Sequence, residues 1–127
     1  MKSILGLFLL LFASVCVSGE VSIVFAKFKQ RDAGWQVDVT LKHADTGWDH
    51  YANAWRIIDE SGKELARRVL AHPHVDEQPF TRSLYSVKIP EKTAVVIIEG
   101  SDTVHGWSSQ RVRVDLSKTS GEFYQLQ

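Results

Sequence analysis

From residue 20 onward, apolar and polar side chains alternate with a period close to two, the mark of half-buried strands rather than helices. Trp35, Val37, Val39 and Leu41 alternate with Gln36, Asp38, Thr40 and Lys42. Trp55 and Ile57 share one face of a run over 54–58, and Tyr85, Val87 and Ile89 alternate with Leu84, Ser86 and Lys88. Val112, Val114 and Leu116 alternate with Arg111, Arg113 and Asp115, while 95–98 is apolar on both faces, as a central strand is. Residues 20–28 supply a first strand. Residues 65–70 supply a basic one, whose Arg67 and Arg68 suit a solvated edge that resists pairing with another chain. Turn residues separate the runs at Asp32-Ala33-Gly34, Glu60-Ser61-Gly62-Lys63 and Pro90-Glu91-Lys92.

This spacing predicts an all-β domain: a seven-stranded antiparallel two-sheet sandwich of the immunoglobulin or fibronectin III type, with Trp55 as its core tryptophan. Successive loops of such a sandwich alternate between its two ends. The first, third and fifth (30–34, 60–63 and 90–93) are short and plain. The second, fourth and sixth (43–50, 71–80 and 102–108) are longer and share the opposite end. All five histidines of the chain fall in these three loops, as His43 and His50, His72 and His74, and His105. The acids Asp45, Asp49, Asp76, Glu77 and Asp102 accompany them, with the aromatics Trp48, Tyr51, Phe80 and Trp107.

The amino-terminal residues change the compartment. Lys2 is followed by an almost unbroken apolar run from Ile4 to Val17, then by small residues at Ser18 and Gly19, the order of a secretory signal peptide. The run falls short of the ~20 residues a membrane-spanning helix needs. Residues 1–19 are therefore expected to leave, with cleavage near Ser18 or Gly19, and 20–127 to form the domain, periplasmic or secreted and without a transmembrane anchor. Lipidation at Cys16 is the lesser reading, because Ala13-Ser14-Val15 is a poor lead-in. Loss of the leader removes the single Cys and the single Met, and with them disulfides, nucleophilic thiolates and Cu(I)-type sulfur ligands. It also lowers the basic count from 15 to 14 against 15 acids, a net charge of about −1. With no basic stripe, nucleic acid is not an expected partner.

The fourth loop reads His72-Pro73-His74-Val75-Asp76-Glu77-Gln78-Pro79-Phe80-Thr81-Arg82. Pro73 keeps its flanks extended, which turns His72 and His74 to one side. Imidazole is the commonest protein ligand for Zn(II) and Cu(II), with carboxylates orienting the rings. The expected ligands are His72 and His74, then His50 and His105, with His43, Asp49, Glu77 and Arg82 as surrounding braces. The bland alternative is a structural network, with Asp45 no more than a turn residue. Trp48, Tyr51 and Trp107 are either core lids or a contact platform. Arg82 and Arg56 are expected to pair with Glu77 or Asp49. No Gly-x-Ser-x-Gly, His-Glu-x-x-His or phosphate loop is present, which argues against an enzyme.

The strings Asp45-Thr46-Gly47-Trp48-Asp49-His50-Tyr51 and His72 to Arg82 resemble those of a group of small, uncharacterised exported bacterial proteins, and the layout is similar to periplasmic copper carriers with immunoglobulin-like folds. The first resemblance implies export; the second is one of fold, and folds do not fix function. The expectation is an exported module holding a divalent transition metal, Cu(II) or Zn(II), in its loop histidines. The competing expectation is a non-catalytic module that binds an envelope or secreted protein, or a glycan, through the same loops.

Overall fold

The computed structural model describes residues 19–127; the expected leader, with Cys16, lies outside the described residues apart from Gly19. Nine strands follow in order: β1 (Ser22–Arg31), β2 (Gly34–Lys42), β3 (Ala52–Asp59), β4 (Glu64–Val69), β5 (Phe80–Val87), β6 (Val95–Asp102), β7 (Gly106–Trp107), β8 (Val112–Asp115) and β9 (Tyr124–Leu126). The described residues contain no helix. One sheet has the order β5-β2-β1-β9. The other has the order β4-β3-β6-β7, with β8 also on β6. The fold is thus all-β and two-sheeted, and all but one of its strand pairs are antiparallel. In the exception, β9 runs parallel to β1, with Ala26 opposite Tyr124 and Phe28 opposite Leu126.

The alternation read from the sequence sets the core. Val37, Val39 and Leu41 of β2 are fully buried and face Trp55 and Ile57 of β3 and Val96 and Ile98 of β6, with Phe28, Val112 and Val114 completing the cluster. Fully burying each such side chain contributes about 1.5–3 kcal/mol. Trp55 has no exposed surface, as its expected core role requires.

β5 departs from simple alternation. Tyr85, expected to point inward, is 68% exposed. The register shifts where Trp35 and Val37 meet Val87 and Leu84, which puts one extra residue into β5, and Ser86 takes the left-handed φ of 56°. That bulge carries Phe80 and Leu84 inward on one parity and Val87 inward on the other, and it turns Tyr85 out. Gly34 is required beside it, because its φ is 132° and a Cβ there would lie 2.7 Å from the Val87 carbonyl oxygen. The strand also starts earlier than the pattern implied, so that Phe80 and Arg82 belong to sheet rather than loop.

The outer face of the β3–β6 sheet is covered by its own long side chains. The Arg56 guanidinium lies 3.9 Å from the Trp107 ring centroid and pairs with Glu99 at 3.4 Å and Glu64 at 3.8 Å. Ile58 and Ile97, outside the core cluster, are 2% and 7% exposed.

Candidate functional site

The loops β2–β3, β4–β5 and β6–β7 are bound to one another by two buried carboxylates. The first is Asp45, whose side chain has no exposed surface. Its Oδ1 accepts from the Ala52 amide at 3.0 Å and meets His43 Nδ1 at 2.5 Å; its Oδ2 accepts from the His74 amide at 2.8 Å. Gln78 repeats the link, accepting from the His43 amide and donating to the His74 carbonyl, both at 3.0 Å. A buried carboxylate is tolerated only when so satisfied. The other nitrogen of His43, Nε2, lies 2.8 Å from the Gly19 carbonyl oxygen. Both ring nitrogens thus face acceptors, and an imidazole donates from both only as the imidazolium. The place between His43 Nε2 and Gly19 is one for a proton or another cation.

The second carboxylate, Asp102, closes β6 and is also wholly buried. Its Oδ1 accepts from the amides of Val104 at 2.9 Å and His105 at 2.8 Å, and meets His50 Nε2 and His105 Nδ1, each at 3.0 Å. Burial opposes its ionisation most strongly, but the His105 and Val104 amides and the His105 ring together outweigh it and hold the carboxyl below its ordinary pKa. Thr103 joins the same two loops: its amide donates to the Tyr51 carbonyl at 3.0 Å, and its hydroxyl to that of Asp49 at 3.2 Å.

Three imidazoles therefore stand in a row from the interior outward. The ring centroids of His43 and His50 are 4.7 Å apart and those of His50 and His105 5.1 Å. Side-chain exposure rises along the row from 1% through 24% to 32%. Ligand atoms of His43, His50 and Asp102 all lie within 4.8 Å of one another. That span is wider than the edge of about 3.3–3.6 Å in a tetrahedral site with bonds near 2.1 Å.

His72 and His74 are placed differently. Arg82 Nη2 donates to His74 Nε2 at 2.8 Å, so that lone pair is occupied and the ring is neutral, with its proton on Nδ1. His74 Nδ1 is buried without a partner, and the ring stacks on Phe80 at 4.0 Å. Burial, then Arg82 and His72, push the His74 pKa below its usual value. The exposed His72 ring sits 4.6 Å from that of His74 and contacts the Pro73 carbonyl. The two rings do share a side, but a guanidinium stands where a metal would. Arg82 also approaches the exposed Glu77, at 4.0 Å.

Asp49 is exposed and contributes its carbonyl; the ion pair expected between it and Arg56 is replaced by the pairs of Arg56 with Glu99 and Glu64. Trp48 is 67% exposed and meets Tyr51 edge to face at 5.6 Å. Trp107 does not join them, being half-buried beneath Arg56. The residues that sequence reasoning passed over as ligands or hubs are Asp45 and Asp102. Asp102 carried a signal: it continues the inward parity of Val96 and Ile98, and an acid on the core side of a strand needs a partner.

No family model matches the chain, and no solved structure matches it. Over 80 residues, 63% of its length, it is 41% identical to a protein of Halomicrobium mukohataei named "Putative lipoprotein". The match covers 39% of that relative, so the chain spans about two fifths of its length.

Proposed function

We propose that this chain is an exported, envelope-associated domain that binds a divalent transition metal, Cu(II) or Zn(II), at the row of loop-end imidazoles. The supporting observation is the joint approach of His43, His50 and Asp102 within 4.8 Å, with His43 Nδ1 held by the buried Asp45 carboxylate. Two imidazoles and a carboxylate suit Zn(II) or Cu(II). Asp45 is the positioning residue, holding His43 through Nδ1 and leaving Nε2 toward the site. His105, on the solvent side of Asp102, is the next ligand. His72 and His74 brace the fourth loop.

The name of the Halomicrobium mukohataei relative supports export to the envelope, and with it the leader read from residues 1–19. No helix among the described residues is long and apolar enough to cross a membrane. The two sheets are read as a sandwich of the immunoglobulin type, with β7 and β9 as short additions to seven longer strands.

The test is metal stoichiometry by mass spectrometry on untagged, exported protein after loading with Cu(II) or Zn(II). About one ion per chain is expected, retained by His72→Ala and lost in a His50→Ala, Asp102→Asn double variant. No metal above background overturns the proposal. The competing reading, contact with a protein or glycan, rests on the exposed Trp48–Tyr51 pair beside the same loops. A Trp48→Ala variant that abolishes capture of an envelope component by metal-free protein would favour it.

A further inference from the structure

We infer that the exported chain begins at Gly19, and that its α-amine and carbonyl are ligands of the metal held by His43 and His50; the inference rests on the metal-binding reading above. Gly19 is built into the row of rings. Its carbonyl oxygen is the 2.8 Å partner of His43 Nε2. Its α-carbon is packed so closely on the outer ring that a Cβ would lie 3.0 Å from His105 Cε1 and 3.5 Å from His105 Nε2. The next residues hold it there: the Glu20 carboxylate accepts from the Ser109 amide at 2.9 Å and hydroxyl at 2.7 Å, and Val21 is 1% exposed.

Small residues at Ser18 and Gly19 permit leader cleavage before or after Gly19. A cut after Gly19 would remove the carbonyl that His43 faces and leave a buried ring nitrogen unpaired, whereas a cut before it leaves that contact whole. The cut before Gly19 also creates a primary amine. The amine nitrogen and carbonyl oxygen of one residue are separated by two carbons, so they grip one cation as a small chelate ring. Together with His43, His50 and Asp102 they give the nitrogen-rich, mixed N/O set that Cu(II) favours. In the precursor the same nitrogen is an amide, its lone pair delocalised into the peptide bond and poorly available to a metal. The site is therefore complete only once the leader has been removed, which defers tight metal uptake until after export.

The exported protein's first residue is read by intact mass. Cu(II) affinity, by competition with a chelator, is then compared among three chains: one starting at Gly19, one N-acetylated at Gly19, and one extended by Ser18 and two alanines. The chain starting at Gly19 should bind more tightly by more than the ~10–100-fold that loss of an outer-shell partner costs, and its Cu(II) spin-resonance spectrum should show one more coordinating nitrogen. Equal affinities and spectra, or an exported chain starting at Glu20 or at a lipidated Cys16, overturn the inference and leave the metal-binding reading standing. No Cu(II) binding by any of the three overturns both.

Discussion

The two groups of histidines at the loop end differ in one respect that decides their chemistry. His43, His50 and His105 face carboxylates, whereas His74 faces a guanidinium and carries His72 beside it. A carboxylate stabilises a proton or metal on the imidazole; an arginine donates into the ring's lone pair and repels any cation that would replace it. Asp45 spans both groups, with one oxygen toward the His43 ring and the other toward the His74 amide. The His-Pro-His string, the most ligand-like in the sequence, is thus the one whose inner ring is already engaged. The sparser residues of the second and sixth loops meet around Asp102.

The largest effect is expected where the two groups join. Asp45→Ala leaves the His43 ring and two buried amides without their acceptor, and should cost about 3–5 kcal/mol in urea unfolding. A loss below about 1 kcal/mol would show that the loops are held independently.

Next comes the contrast in metal affinity. His50→Ala should weaken Cu(II) or Zn(II) binding by about 100-fold or more, equivalent to about 2.7 kcal/mol, while His72→Ala should change it by less than about twofold. The reverse order would exchange the roles assigned to the two groups.

A smaller effect concerns pH. The His74 pKa is lowered by burial and by Arg82, so the unfolded chain binds the proton more readily than the folded one. The stability this contributes is present above the unfolded value near 6.5 and is lost as pH falls through the lower, folded value. Urea midpoints should therefore decline below about pH 6.5, and less steeply in His74→Gln; in Arg82→Met the His74 ring should titrate at higher pH by NMR than in the unaltered chain. An unaltered chain whose His74 titrates above 6.5 would break the account of this ring.

The smallest effect is Trp48→Ala, which should change stability by about 0.5 kcal/mol or less, because the indole is mostly in solvent. A larger loss would mean that the Trp48–Tyr51 pair braces the loop end.

Alternation in the sequence determined the two-sided strands, the inward sets of β2, β3 and β8, and the burial of Trp55, because a period of two leaves a strand only one way to hide its apolar face. It also determined that every histidine lies in a connection between strands. It could not place Tyr85, since the extra residue at Ser86 reverses parity and follows from the fit of β5 against Gly34. The short β9, parallel to β1, likewise depends on a partner distant in the chain. Only the tertiary structure decided which histidines face anions and which face Arg82, and that Gly19 reaches His43. Those pairings join residues 8 to 52 positions apart, apart from the local contacts of Asp45 with His43 and Asp102 with His105. Electrostatic character is set by neighbours in space, which local pattern does not encode.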